Sequence, residues 1–171
     1  MPKHHTAVRV GILLAALALA GGFLLHVATA SAADGNRFEA TFQESTASVT
    51  NRIADLGTFQ LINTASGTVE GYGAATMVLS VTQDRSVEPC GPGSWTNAGI
   101  RRIVLPDGVL VLRGTAYVCQ SASGPIATET WFVDDASSTG VFAGARGSGK
   151  GTVHISTATS TLSGRLKLAG T

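Results

Sequence analysis

Histidine, cysteine and charge are all scarce in this chain, and each scarcity removes a class of function. Of 171 residues, 12 are Lys or Arg and 11 are Asp or Glu, with four His and two Cys. No basic block occurs, which argues against a nucleic-acid partner or an anionic membrane surface. His4, His5 and His26 all sit near the start, so a Ser-His-Asp triad in the remainder would have to use His154. No G-x-S-x-G elbow is present either, and hydrolase chemistry of the usual kinds has little support. Two lone cysteines and one histidine on a later strand make a poor zinc set, so no metal is expected. The chain has no C-terminal hydrophobic tail. A sustained helical period is missing too, beyond one short turn expected around residues 49–56.

The N-terminus reads as a targeting segment. Lys3 and Arg9 form a weakly basic start, residues 10–25 are apolar and uncharged, and Ala30-Ser31-Ala32 supplies a small-x-small cleavage pattern. We therefore expect a signal peptide over residues 1–33 and one folded domain over 34–171; an uncleaved anchor is the competing reading. No cysteine follows the apolar run, so the attachment point of a bacterial lipoprotein is missing. Cleavage would remove Lys3 and Arg9 and leave ten basic residues against eleven acidic ones. A secreted or extracytoplasmic protein with no membrane partner is the expectation. An oxidising compartment favours a Cys90–Cys119 disulfide, tying the loop read over residues 86–99 to a strand end.

What the sequence does have is glycine, threonine, serine and valine in short alternating runs. Phe38, Ala40 and Phe42 alternate with Glu39, Thr41 and Gln43, and Ala75, Met77, Leu79 and Val81 alternate with polar partners. Further strands are read over 58–63, 68–71, 100–105, 109–119, 126–134, 151–156 and 161–168, with Pro106-Asp107-Gly108 turning the clearest hairpin. About eight strands at this spacing indicate an all-β fold. A small closed antiparallel β-barrel is favoured over a β-sandwich, since closure removes exposed edges. The first half of 109–119 is apolar on both faces and needs cover on both.

The most glycine-rich stretch runs from Trp131 to Gly151. Gly144-Ala-Arg-Gly-Ser-Gly149-Lys150 fits seven positions of a phosphate-binding loop. Gly151 stands where Ser or Thr is needed, and a strand rather than a helix follows. A glycine-rich barrel bend, with no nucleotide and no cofactor, is the better reading. Gly140-Val-Phe-Ala-Gly-Ala-Arg-Gly-Ser-Gly149, preceded by Glu129-Thr-Trp-Phe-Val133, resembles the corresponding segment of allene oxide cyclase-like and dirigent-like β-barrels. The similarity covers roughly residues 100–168. It implies an eight-stranded barrel with a mostly apolar pocket, often in dimers or trimers, and it implies no particular reaction.

Candidate site residues follow from alternation. Arg113 and Tyr117 share a face with Val109 and Val111, and Glu129 shares one with Trp131 and Val133. An inward Glu129 beside Trp131, with Arg113 and Tyr117 near it, would suit acid-base or oxyanion chemistry in an apolar cavity. The alternative is an outward Glu129–Arg113 surface pair of little energetic weight. Trp95, in the cysteine-anchored loop, is either a lid over a ligand or a plug in the barrel end. Asp134-Asp135 reads as a charged turn. The expected function is therefore an exported barrel that binds a small apolar or amphipathic ligand through Trp95, Trp131, Tyr117, Glu129 and Arg113. The alternatives are a cofactor-independent cyclase or isomerase using Glu129, Arg113 and Tyr117, or an envelope scaffold protein.

Overall fold

The computed structural model describes residues 37–45, 48–53 and 58–171, the second of these as backbone only. The expected signal peptide lies outside the described residues. The described residues form ten strands: β1 (Arg37–Glu44), β2 (Ser48–Ile53), β3 (Thr58–Val69), β4 (Gly73–Asp84), β5 (Trp95–Leu105), β6 (Gly108–Cys119), β7 (Ile126–Val133), β8 (Thr139–Gly140), β9 (Arg146–His154) and β10 (Thr159–Lys167). Eight of them run antiparallel in the order β1-β10-β9-β7-β6-β5-β4-β3, and β3 pairs back onto β1 to close the barrel. β2 extends beside the first half of β3, and the two-residue β8 pairs with the start of β6. Residues 48–53 are thus a strand, correcting the helical turn expected there.

Alternation explains the interior. Phe38, Ala40 and Phe42 of β1, Ala75, Met77, Leu79 and Val81 of β4, Ile103 and Leu105 of β5, and Leu110 and Leu112 of β6 all point inward and form one core. That core fills the end of the barrel where β4 and β6 begin, called the lower end below. Phe142 closes it, with its ring 5.2 Å from Tyr72 at the β3–β4 turn. The outer face of β6 is covered as its apolar sequence requires. The segment after β7 folds over it, with Asp134 N–H donating to Val111 O at 2.8 Å and Val111 N–H donating to Ser138 Oγ at 3.0 Å.

The glycine-rich stretch is not a single bend. Gly140, the last residue of β8, and Gly144, in the turn before β9, take positive φ, whereas Gly147, Gly149 and Gly151 lie within β9 and point inward. Trp131 needs the missing side chain of Gly149. It stands opposite Gly114 on β6 and Gly149 on β9, and a methyl group on Gly149 would come within 2.4 Å of its indole. Trp131 fills the centre of the barrel, edge-on to Phe38 at 5.3 Å, and donates from Nε1 to Lys150 O at 3.0 Å.

Cys90 and Cys119 are joined in a disulfide, with Cα atoms 5.6 Å apart. The bridge fastens the loop between β4 and β5 to the end of β6. That loop is shorter than expected from the sequence, because β5 begins at Trp95.

Candidate functional site

Above Trp131 the barrel is hollow. The small side chains there (Gly99, Gly114, Ala116 and Ala127) leave a cavity of about 890 Å³ that reaches the upper rim at Ser45, Arg85, Ile155 and Ala158. Its walls include Leu61, Leu79, Val81, Leu112, Trp131 and Val153, and Trp95 contributes from the first position of β5. The volume suits a small organic molecule.

Glu129 points into this space, 8% exposed, and its partner is Arg101 rather than Arg113. Arg101, 4% exposed, shares the inward face of β5 with Ile103 and Leu105. Its Nε donates to Glu129 Oε1 at 3.0 Å and its Nη2 donates to Glu129 Oε2 at 2.6 Å, a two-pronged fork that uses both carboxylate oxygens. Its Nη1 lies 3.5 Å from Met77 Sδ and 3.7 Å from Glu44 Oε1. Gly151 faces Glu129 across the β7–β9 ladder and makes room for it.

Glu44 is the second inward carboxylate. It ends β1, on the same face as Phe38, Ala40 and Phe42, with its side chain 7% exposed. Asn63 Nδ2 donates to Glu44 Oε2 at 3.0 Å, but Glu44 Oε1 accepts no hydrogen bond from the described residues. Asn63 Oδ1, Asn97 Oδ1 and Trp95 Nε1 are likewise buried without a hydrogen-bond partner among the described residues, and all four residues line the cavity. Such atoms are costly in an empty site, so they mark where a polar ligand group gains most. At the rim, Gln83 accepts from Arg85 Nε at 3.1 Å, and the Arg85 guanidinium lies over the Trp95 ring at 4.8 Å and the Phe59 ring at 5.4 Å.

Two sequence-derived candidates direct their side chains elsewhere. Arg113 borders the cavity, but its side chain is on the outer face of β6 and donates from Nε to Asp134 Oδ2 at 2.7 Å. Tyr117 is also outward, 61% exposed. The inward set of β6 is Leu110, Leu112, Gly114, Ala116 and Val118, the opposite parity to the one expected from the sequence. The Glu129–Arg113 surface pair does not form either. Both outcomes have one cause: β6 is apolar on both faces where it starts, so alternation alone could not assign its inside. His154 is exposed and outside the cavity. The Asp134 carboxylate is held below the usual carboxylate range, by the Ser137 hydroxyl first and Arg113 second.

Arg101, Glu44 and Asn63 are not singled out in the sequence. Glu44 and Asn63 sit at an even spacing from apolar residues that do face inward, whereas the strand of Arg101 carries apolar residues at both parities. No family model, no curated protein and no solved structure matches this chain.

Proposed function

We propose that this protein is an exported, non-catalytic pocket protein that holds one small amphipathic molecule in the upper half of its barrel. The observation that carries this reading is the division of the interior at Trp131, with a packed core below and a cavity of about 890 Å³ above. A scaffold would gain nothing from the hollow half, because filling it with side chains would add stability. The inward Glu129 alone would favour the cyclase or isomerase reading. Its two oxygens each accept from Arg101, however, which ties the carboxylate into a structural fork within the barrel wall rather than presenting it singly to a bound molecule. The disulfide fits an extracytoplasmic location, where oxidising conditions preserve it.

Titration with N-phenyl-1-naphthylamine, a neutral apolar fluorophore, tests this reading, because Trp95 and Trp131 both line the cavity and can transfer energy to it. One saturable site is expected, lost when Ala116→Phe fills the space. Unsaturable binding, or binding unchanged in the filled variant, would remove the pocket from the account.

A further inference from the structure

We propose that the ligand of this cavity carries a protonated amine at its buried end, seated between Glu44 and Asn63. The inference rests on the pocket reading and adds the chemistry of the polar group. Among the described residues, the cavity holds two buried carboxylates, Glu44 and Glu129, against one buried guanidinium, Arg101. Arg101 is committed to Glu129 by two hydrogen bonds and reaches Glu44 only as a 3.7 Å charge contact. One negative charge is therefore left short of compensation in a side chain that is 7% exposed. Arg85 does not supply the balance, since it is exposed at the rim and its charge is shared with solvent.

Hydrogen bonding points the same way. Glu44 accepts from Asn63 Nδ2 through Oε2, which fixes the Asn63 amide with its oxygen free. The two unpartnered oxygens, Glu44 Oε1 and Asn63 Oδ1, are acceptors on side chains joined at 3.0 Å. An ammonium group has three donors and no acceptor, and so answers both the charge and the unmet bonds. A hydroxyl would answer the bonds alone, and a carboxylate would oppose both. Leu61, Leu79 and Trp131 provide apolar contact for the rest of the molecule. Trp95 Nε1, the one unpartnered donor among the lining atoms named above, suits an acceptor elsewhere on it.

The test is calorimetric titration of the mature protein with decylamine, decanol and decanoate, and with the same three head groups on a 4-phenylbutyl tail. The amine is expected to bind roughly tenfold or more tighter than the alcohol, and the carboxylate weakest. In Glu44→Gln, a near-isosteric change, the ratio of amine to alcohol affinity is expected to fall to about one, with the alcohol little altered. Equal binding of the three head groups, or preference for the carboxylate, overturns the amine and leaves the pocket standing. An amine preference that survives Glu44→Gln also overturns the placement. Failure of every compound, N-phenyl-1-naphthylamine included, overturns the pocket and the amine with it.

Discussion

Gly151 and Glu129 face each other across the β7–β9 ladder, and a methyl group on Gly151 would lie 2.7 Å from Glu129 Cγ and 2.8 Å from Glu129 Oε1. The absence of a side chain on one strand is thus what lets a carboxylate stand inside the barrel on the next. Gly151 is not held at a positive φ, so alanine is conformationally allowed there and the penalty is steric. Gly151→Ala should displace Glu129 from Arg101 and cost about 1–3 kcal/mol, the usual range for overpacking. Urea denaturation measures this. A variant as stable as the parent would mean that Glu129 moves aside freely, and that the Arg101 fork is not rigid.

Arg101 and Glu129 should not be equivalent when removed singly. Arg101→Met leaves two buried carboxylates with no buried cation among the described residues and should cost about 3–5 kcal/mol. Glu129→Gln leaves Arg101 with Glu44 only 3.7 Å away, so the charges still balance. Its cost should be smaller, about 1–2 kcal/mol for the lost charge-assisted bonding. Equal losses in the two variants would show that Glu44 does not compensate Arg101.

The Cys90–Cys119 bridge closes a loop across a sequence separation of 29 residues. In the chain-entropy model, opening such a loop removes roughly 3–4 kcal/mol. The Cys90→Ser/Cys119→Ser variant should show that loss in equilibrium unfolding, and the untreated parent should resist thiol-labelling reagents. Modification of both thiols without reductant would show that the bridge is not formed in solution.

Much of this arrangement was legible in the sequence, and the parts that were not share physical reasons. Alternation of Phe38, Ala40 and Phe42, and of Ala75 to Val81, gave a barrel with the right faces inward. It also placed Glu129 with Trp131 correctly. It failed on β6, where Val111 is buried on the outer face by the segment holding Ser138. It failed again on β9, which starts at Arg146, because inward glycines have no side chain with which to alternate. Arg101 and Arg102 are adjacent, so one must point in and one out, and only strand register decides which. Trp95 reads as a loop residue because glycine and proline crowd the positions before it.

Acid should act on the cover of β6 through Asp134. Its carboxyl is held below the ordinary value, chiefly by the Ser137 hydroxyl at 2.9 Å and then by Arg113. The folded state therefore takes up this proton at lower pH than the unfolded chain does. Its contribution is complete above the ordinary carboxylate range and is lost as pH falls through the depressed value. The stability gap between the parent and Asp134→Asn should accordingly shrink between about pH 5 and pH 2, the range in which carboxylates titrate. A gap that is constant with pH would mean that these bonds do not survive in solution.

The central claim is that the hollow half of the barrel carries a ligand. Native mass spectrometry of the mature protein, purified from its own host and followed by extraction of any bound fraction, tests it most directly. The account predicts a stoichiometric adduct whose extracted molecule is amphipathic and carries a basic amine. A clean apo mass that no lipophilic amine, alcohol or acid shifts would contradict it, and would leave the barrel as a scaffold.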